Sequence, residues 1–174
     1  MSNDRIVNKL AMAIGKGLLA GLAGTAAITI SQMMQQQITG SGASEAPSRV
    51  GGKVLGVQPR NPEGKARFSQ VMHWSYGTSW GLMRGAMELA GLRGLPASAI
   101  HWIAIWAAEL AMVPNMTDAP QATEMEPQNL AIDGGHHAVY AFAAGAVYDL
   151  MSAKEEEHHL LRELKEKAKE TFRK

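Results

Sequence analysis

Apolar residues fill Leu10 to Met34, a stretch rich in Leu, Ile, Ala, Met and Gly that Lys16 alone interrupts, and no charged residue occurs from Gly17 to Ser44. About 20 such residues cross the hydrocarbon core of a bilayer as a helix, so this stretch is the first predicted span. Asn3, Asp4, Arg5 and Lys9 stand in front of it, as in a signal peptide, but the small-x-small pattern of a cleavage site is poor and the run reads as a retained span. A second helix is predicted from Arg67 to Leu89, stopped by Gly91 and Gly94. A third fits Pro96 to Met112, with Pro96 tolerated in the first turn and Pro114 shortly beyond the end. A fourth fits Pro127 to Met151. Gly40 to Arg67, with Pro47, Pro59 and Pro62, reads as a connector holding a short helix from Ser48 to Leu55. Val113 to Gln128 reads as a polar, acidic loop without Lys or Arg. The prediction is an all-α fold: a four-helix transmembrane bundle over residues 1–152, with a long first loop and an amphipathic, charged C-terminal helix over 153–174.

Small residues modify this picture. Gly17 and Gly21, and again Gly77, Gly81 and Gly85, fall four apart, the spacing that lets helix backbones approach closely in lipid. The same number of glycines would weaken helices in water. These stripes are expected to pack helices together, within the chain or against another subunit. Trp74, Trp80, Trp102, Trp106, Tyr140 and Tyr148 are candidate interfacial anchors, and aromatic core residues would give the same pattern.

Composition and charge exclude several classes. There are 17 Lys plus Arg against 16 Asp plus Glu, a net charge of +1, which removes the case for a nucleic-acid partner. With no Cys, disulfide scaffolds, thiol catalysis, iron–sulfur clusters and Cys-ligated zinc drop out. The mean hydropathy of −0.12 averages an apolar body with a charged tail. From Lys154 onward, 21 residues hold seven Lys or Arg and six Glu. Basic residues in that tail and in the Gly91–Leu95 turn, and none in the Val113–Gln128 loop, predict both termini on the cytoplasmic side. The basic Gly40–Arg67 connector runs against that orientation, and a soluble helical binding module is the alternative.

The segment His73-Trp74-x-Tyr76-Gly77-Thr78-x-Trp80-Gly81-x-x-Arg84-Gly85, followed by Asp133-x-x-x-His137-x-x-Tyr140, resembles the YagU-like group of uncharacterised bacterial proteins. The resemblance covers roughly Gly15 to Met151 and implies a small inner-membrane protein with four helices. It implies no activity, and the tail from Lys154 lies outside it.

Ionisable residues inside a membrane body are functional candidates by default. At 1.5 Å rise per residue, His73 lies about 9 Å below the outer end of the second helix, and Glu109 about 20 Å above the inner end of the third. Asp133 and His137 lie about 9 and 15 Å below the outer end of the fourth. Asp133 and His137, four apart, share a face. These two imidazoles and two carboxylates form a candidate site for a divalent metal such as Zn, Mn or Fe. The alternatives are a His73–Glu109 pair within a hydrogen-bonded core layer and Asp133 as the cap of a helix starting at Gly134. An inner network of Arg84, Glu88 and His101 is expected, with Arg84 and Glu88 paired within their helix. His-Glu-x-x-His is absent, Ser79 beside the glycine stripe reads as a helix-contact hydroxyl and not as a nucleophile, and no catalytic group is assigned. Leu161, Leu164, Ala168 and Phe172 place a narrow apolar stripe on the tail, suited to a partner subunit or anionic lipid. The expected role is that of a structural or accessory component of a membrane complex or homo-oligomer. A membrane-embedded His/carboxylate metalloprotein, as an enzyme or an ion or proton path, is the second reading.

Overall fold

A computed structural model describes residues 3–42, 44, 46–57 and 59–171. Among them the order is α1 (Asn3–Thr39), α2 (Ala46–Leu55), α3 (Pro62–Trp80), α4 (Leu82–Leu89), α5 (Gly94–Met116), a 3-10 turn at Ala122–Glu124, and α6 (Pro127–Thr171). No strand occurs among the described residues. Helices α1 and α5 are long and apolar enough to cross a membrane. The other two long helices fall short of that standard, α3 with polar residues throughout and α6 with its histidines, Asp133 and a charged C-terminal half. The four apolar spans read from the sequence therefore reduce to two.

Side-chain contacts set the directions. Along α1, Gly17 faces Gly81 and Thr29 faces His73, so α1 and α3–α4 are antiparallel. Lys16 meets Ser152 while Ser31 meets His136, so α6 also runs against α1. Ser98 lies by Gly145 and Trp106 by Gly134, so α5 runs against α6. The bundle is up-down-up-down, with the start of α1 and the second half of α6 at the same end of it.

Local chemistry explains most of the boundaries. Asn61 Oδ1 accepts the Gly64 N–H at 2.7 Å and Pro62 occupies the first turn, which starts α3 five residues before the predicted Arg67. Gly91, at φ 83°, closes α4: its N–H reaches Glu88 O at 2.9 Å and the Leu92 N–H reaches Met87 O at 2.8 Å. Helix α5 continues past its predicted end and includes Pro114. A proline two residues from the terminus removes one hydrogen bond from a last turn that has few to lose. Helix α6 runs unbroken through 152/153, so that boundary marks the end of burial and not the end of a helix. Asp133 is thus inside α6 and does not cap it.

The predicted second helix is divided at Gly81. There the Gly81 N–H bonds to Thr78 O at 3.1 Å and the Arg84 N–H to Gly81 O at 3.0 Å, a tighter i to i+3 pattern. That pattern takes backbone donors from the carbonyls of Gly77 and Trp80, and a buried carbonyl needs a partner. Tyr140 Oη donates to Gly77 O at 2.5 Å, and His101 Nε2 lies 3.0 Å from Trp80 O. Side chains from α6 and α5 thus lock onto the break.

The α1 to α3–α4 contact is made of backbone. A methyl built on Gly17 would lie 2.8 Å from Gly81 O, and one on Gly85 2.5 Å from Ala13 O. One on Gly21 would collide with Thr78 O, one on Gly77 with the Thr25 hydroxyl, and one on Gly81 with Gly17 O. Both glycine stripes are consumed inside the chain, so neither is available to hold another subunit. The core beside them is small and aromatic: Ala20, Ile28, Ile105, Tyr140, Ala141, Ala144 and Tyr148, with Trp80 and Trp102 packed against it. Tyr140 and Tyr148 are therefore core residues and not interfacial anchors.

Candidate metal centre

Antiparallel packing of α5 on α6 brings Glu109 to the level of Asp133 and His137. One ligand atom from each of the three lies within 4.8 Å of the others. His137 Nε2 is in ion-pair contact with Glu109 Oε2, and His137 Nδ1 lies 2.9 Å from the Asp133 carbonyl and 3.8 Å from its Oδ2. Trp106 Nε1 donates to Asp133 Oδ2 at 2.9 Å, and Trp102 Nε1 to Gly134 O at 2.8 Å. The two indoles stack with centroids 5.9 Å apart and cover the α5–α6 seam. One imidazole and two carboxylates are donors suited to a divalent ion.

His73 is not part of this group. Its Nε2 is 2.9 Å from Thr29 Oγ1 and its ring stands edge-on to Trp74, because α3 packs chiefly on α1. The expected His73–Glu109 pair is replaced by Thr29–His73 and Glu109–His137. His136 turns to α1, between Ser31 Oγ and Gln35 Oε1, each at 2.8 Å.

The inner network also has different partners from those expected. Arg84 does not pair with Glu88. It is almost wholly buried, places Nη2 2.6 Å from Asp149 Oδ1, and lies over the Tyr148 ring at 5.5 Å. Glu88 instead takes Lys16 Nζ at 3.0 Å and Tyr148 Oη at 2.5 Å, with Arg93 at 3.7 Å. Lys16 also reaches Ser152 and Glu155, at 3.0 and 2.9 Å. Contacts between helices win because every one of these groups faces a neighbour, whereas an i to i+4 pair requires only one helix. His101 is fully buried between Trp80 O and the Tyr140 ring; as a carbonyl only accepts, its Nε2 carries the proton. Lys16, Tyr148 and Asp149 escaped the sequence reading. The signal for Lys16 was present, since a lone charge inside an apolar run needs a partner. Replacing Glu88 by Gln keeps its shape and removes the charge shared by Lys16 and Tyr148. The expected loss is about 2 kcal/mol, read as a lower thermal midpoint. An unchanged midpoint would show the cluster to be energetically idle.

A surface cavity of about 590 Å³, lined in part by Ser48, Arg49, Lys53, Lys65 and Asp118, lies between α2 and the end of α5, apart from the three-ligand group. The chain matches no protein-family model, no curated protein and no solved structure.

Proposed function

We propose that the chain is a small polytopic protein of the bacterial inner membrane, serving as a structural or accessory component of a membrane complex or homo-oligomer. One observation carries this reading: the polarity is inverted. Leu19 and Ile30 on α1, Leu82 on α4, Ile103 on α5, and Val139 and Phe142 on α6 all point outward, while Arg84, Lys16 and Glu88 turn inward. Exposed apolar residues on every long side of a bundle with ion pairs inside suit lipid and penalise water. On this reading α3–α4 and the first half of α6 cross the bilayer with α1 and α5, their charges paired internally. The likeness to the YagU-like group is part of the proposal, supported by the His73–Gly85 and Asp133–Tyr140 segments.

Orientation follows from Arg5, Lys9, Arg93 and the tail, which place basic residues at the end that holds the start of α1 and the second half of α6. Association falls to the tail, because the glycine stripes are used internally. Beyond Ser152, α6 is exposed along its described length, with Leu160, Leu161 and Leu164 among its charges. Phe172, the last residue of the predicted stripe, lies outside the described residues.

The absence of Cys makes the test clean. In intact cells, Thr123→Cys is expected to react with a membrane-impermeant maleimide. His159→Cys should react only after the cytoplasm is opened, and Leu19→Cys only after denaturation. Removal of 157–174 is expected to reduce the native mass in mild detergent to that of one chain. Free labelling of Leu19→Cys in folded protein would defeat the membrane reading, and an unchanged mass would defeat the role of the tail.

A further inference from the structure

We propose that Glu109, Asp133 and His137 hold one divalent transition-metal ion, with Trp106 orienting the site. The first ground is the direction of the His137 lone pair. Its Nδ1 faces the Asp133 carbonyl at 2.9 Å, and a carbonyl can only accept, so Nδ1 carries a proton. In the neutral ring Nε2 then presents a bare lone pair, and what it faces is Glu109 Oε2. A lone pair against a carboxylate oxygen is repulsive unless both atoms bind a common cation. Either a second proton or a metal ion is that cation, and a ring N–H given to a backbone carbonyl is the usual way in which a ligating histidine is held.

The second ground is charge balance. Two carboxylates meet here, and no Lys or Arg pairs with either among the described residues. Arg84, Arg93 and Lys16 are engaged at the other end of the bundle. The neighbouring imidazoles, His73 bonded to Thr29 and His136 to Ser31 and Gln35, form no ion pair with either carboxylate among the described residues. Protonation of His137 alone leaves one negative charge uncompensated in a half-buried site, whereas a divalent ion neutralises both. The third ground is the Trp106 N–H on Asp133 Oδ2, which fixes that carboxylate. Three protein ligands leave room for water or a further ligand on the ion.

The test uses the full chain in detergent, stripped with a chelator and titrated with Zn²⁺ or Mn²⁺. One ion per chain is expected. His137→Ala and Glu109→Gln should each abolish stoichiometric uptake, and Trp106→Phe should weaken it about 10-fold. His73→Ala and the tail double variant His158→Ala/His159→Ala should leave it unchanged. If a ligand variant fails to fold, pulsed EPR of the Mn²⁺-loaded wild-type protein decides, since coupling to one imidazole nitrogen is expected. No stoichiometric ion on folded wild-type protein, uptake that survives His137→Ala, loss with the tail pair, or no nitrogen coupling would each overturn the proposal.

Discussion

Gly81→Ala is expected to destabilise the bundle by about 3 kcal/mol, the upper end of what overpacking a close contact costs. The added methyl would meet the Gly17 carbonyl and would lie 2.5 Å from the backbone N and Cα of Gly21. Backbone cannot swing aside as a flexible side chain does, so α1 and α3–α4 must separate. Separation would also disturb the tight turn at Gly81, on whose freed carbonyls Tyr140 and His101 depend. Gly15 and Gly135 are the internal controls, since nothing lies within 4 Å of a methyl at either position. There the better helix propensity of alanine should leave stability unchanged or raise it by up to about 1 kcal/mol. Thermal unfolding in detergent, followed by circular dichroism, measures all three. Equal midpoints for Gly81→Ala and Gly15→Ala would mean that the close backbone contact contributes nothing.

Ile103→Asp is the second large effect, and it discriminates between lipid and water around the body. Ile103 sits near the middle of α5 with 57% of its surface exposed. In water, an exposed apolar-to-charged change away from any contact falls within about 0.5 kcal/mol of neutral. At the centre of a membrane helix, Asp costs about 2.5 to 3.5 kcal/mol. The variant is therefore expected to accumulate poorly in membranes, while Leu160→Asp on the exposed tail accumulates normally. An Ile103→Asp protein that folds in buffer without detergent would defeat the membrane reading and restore the soluble bundle.

Much of the helical layout was legible along the chain. The uncharged run after Lys16 marks α1, Gly91 and Gly94 mark the turn into α5, and the i to i+4 spacing of Asp133 and His137 puts both on one face of α6. Depth counting at 1.5 Å per residue also placed His73, Glu109, Asp133 and His137 in one half of the bundle, and three of the four meet there. Those features depend on sequence neighbours, and helix periodicity converts them directly into geometry. The division at Gly81 was hidden because a glycine four from two others looks the same whether it continues a helix or tightens one turn. The inclusion of Pro114 was hidden because its cost depends on the number of turns that follow it.

What the sequence by itself determined was where most of the helical segments fall and the approximate height of each polar residue along them, since both follow from rise per residue and the spacing of apolar, glycine and charged positions. Only the tertiary structure decided which helix each polar side chain faces. It gave Thr29 to His73, Lys16 to Glu88 and Asp149 to Arg84, and it left Glu109 with Asp133 and His137. The reason is rotational: height survives packing, but the azimuth at which two helices meet is set by the glycine faces that allow backbones to touch, and a partner one helix away in sequence can be on the far side in space.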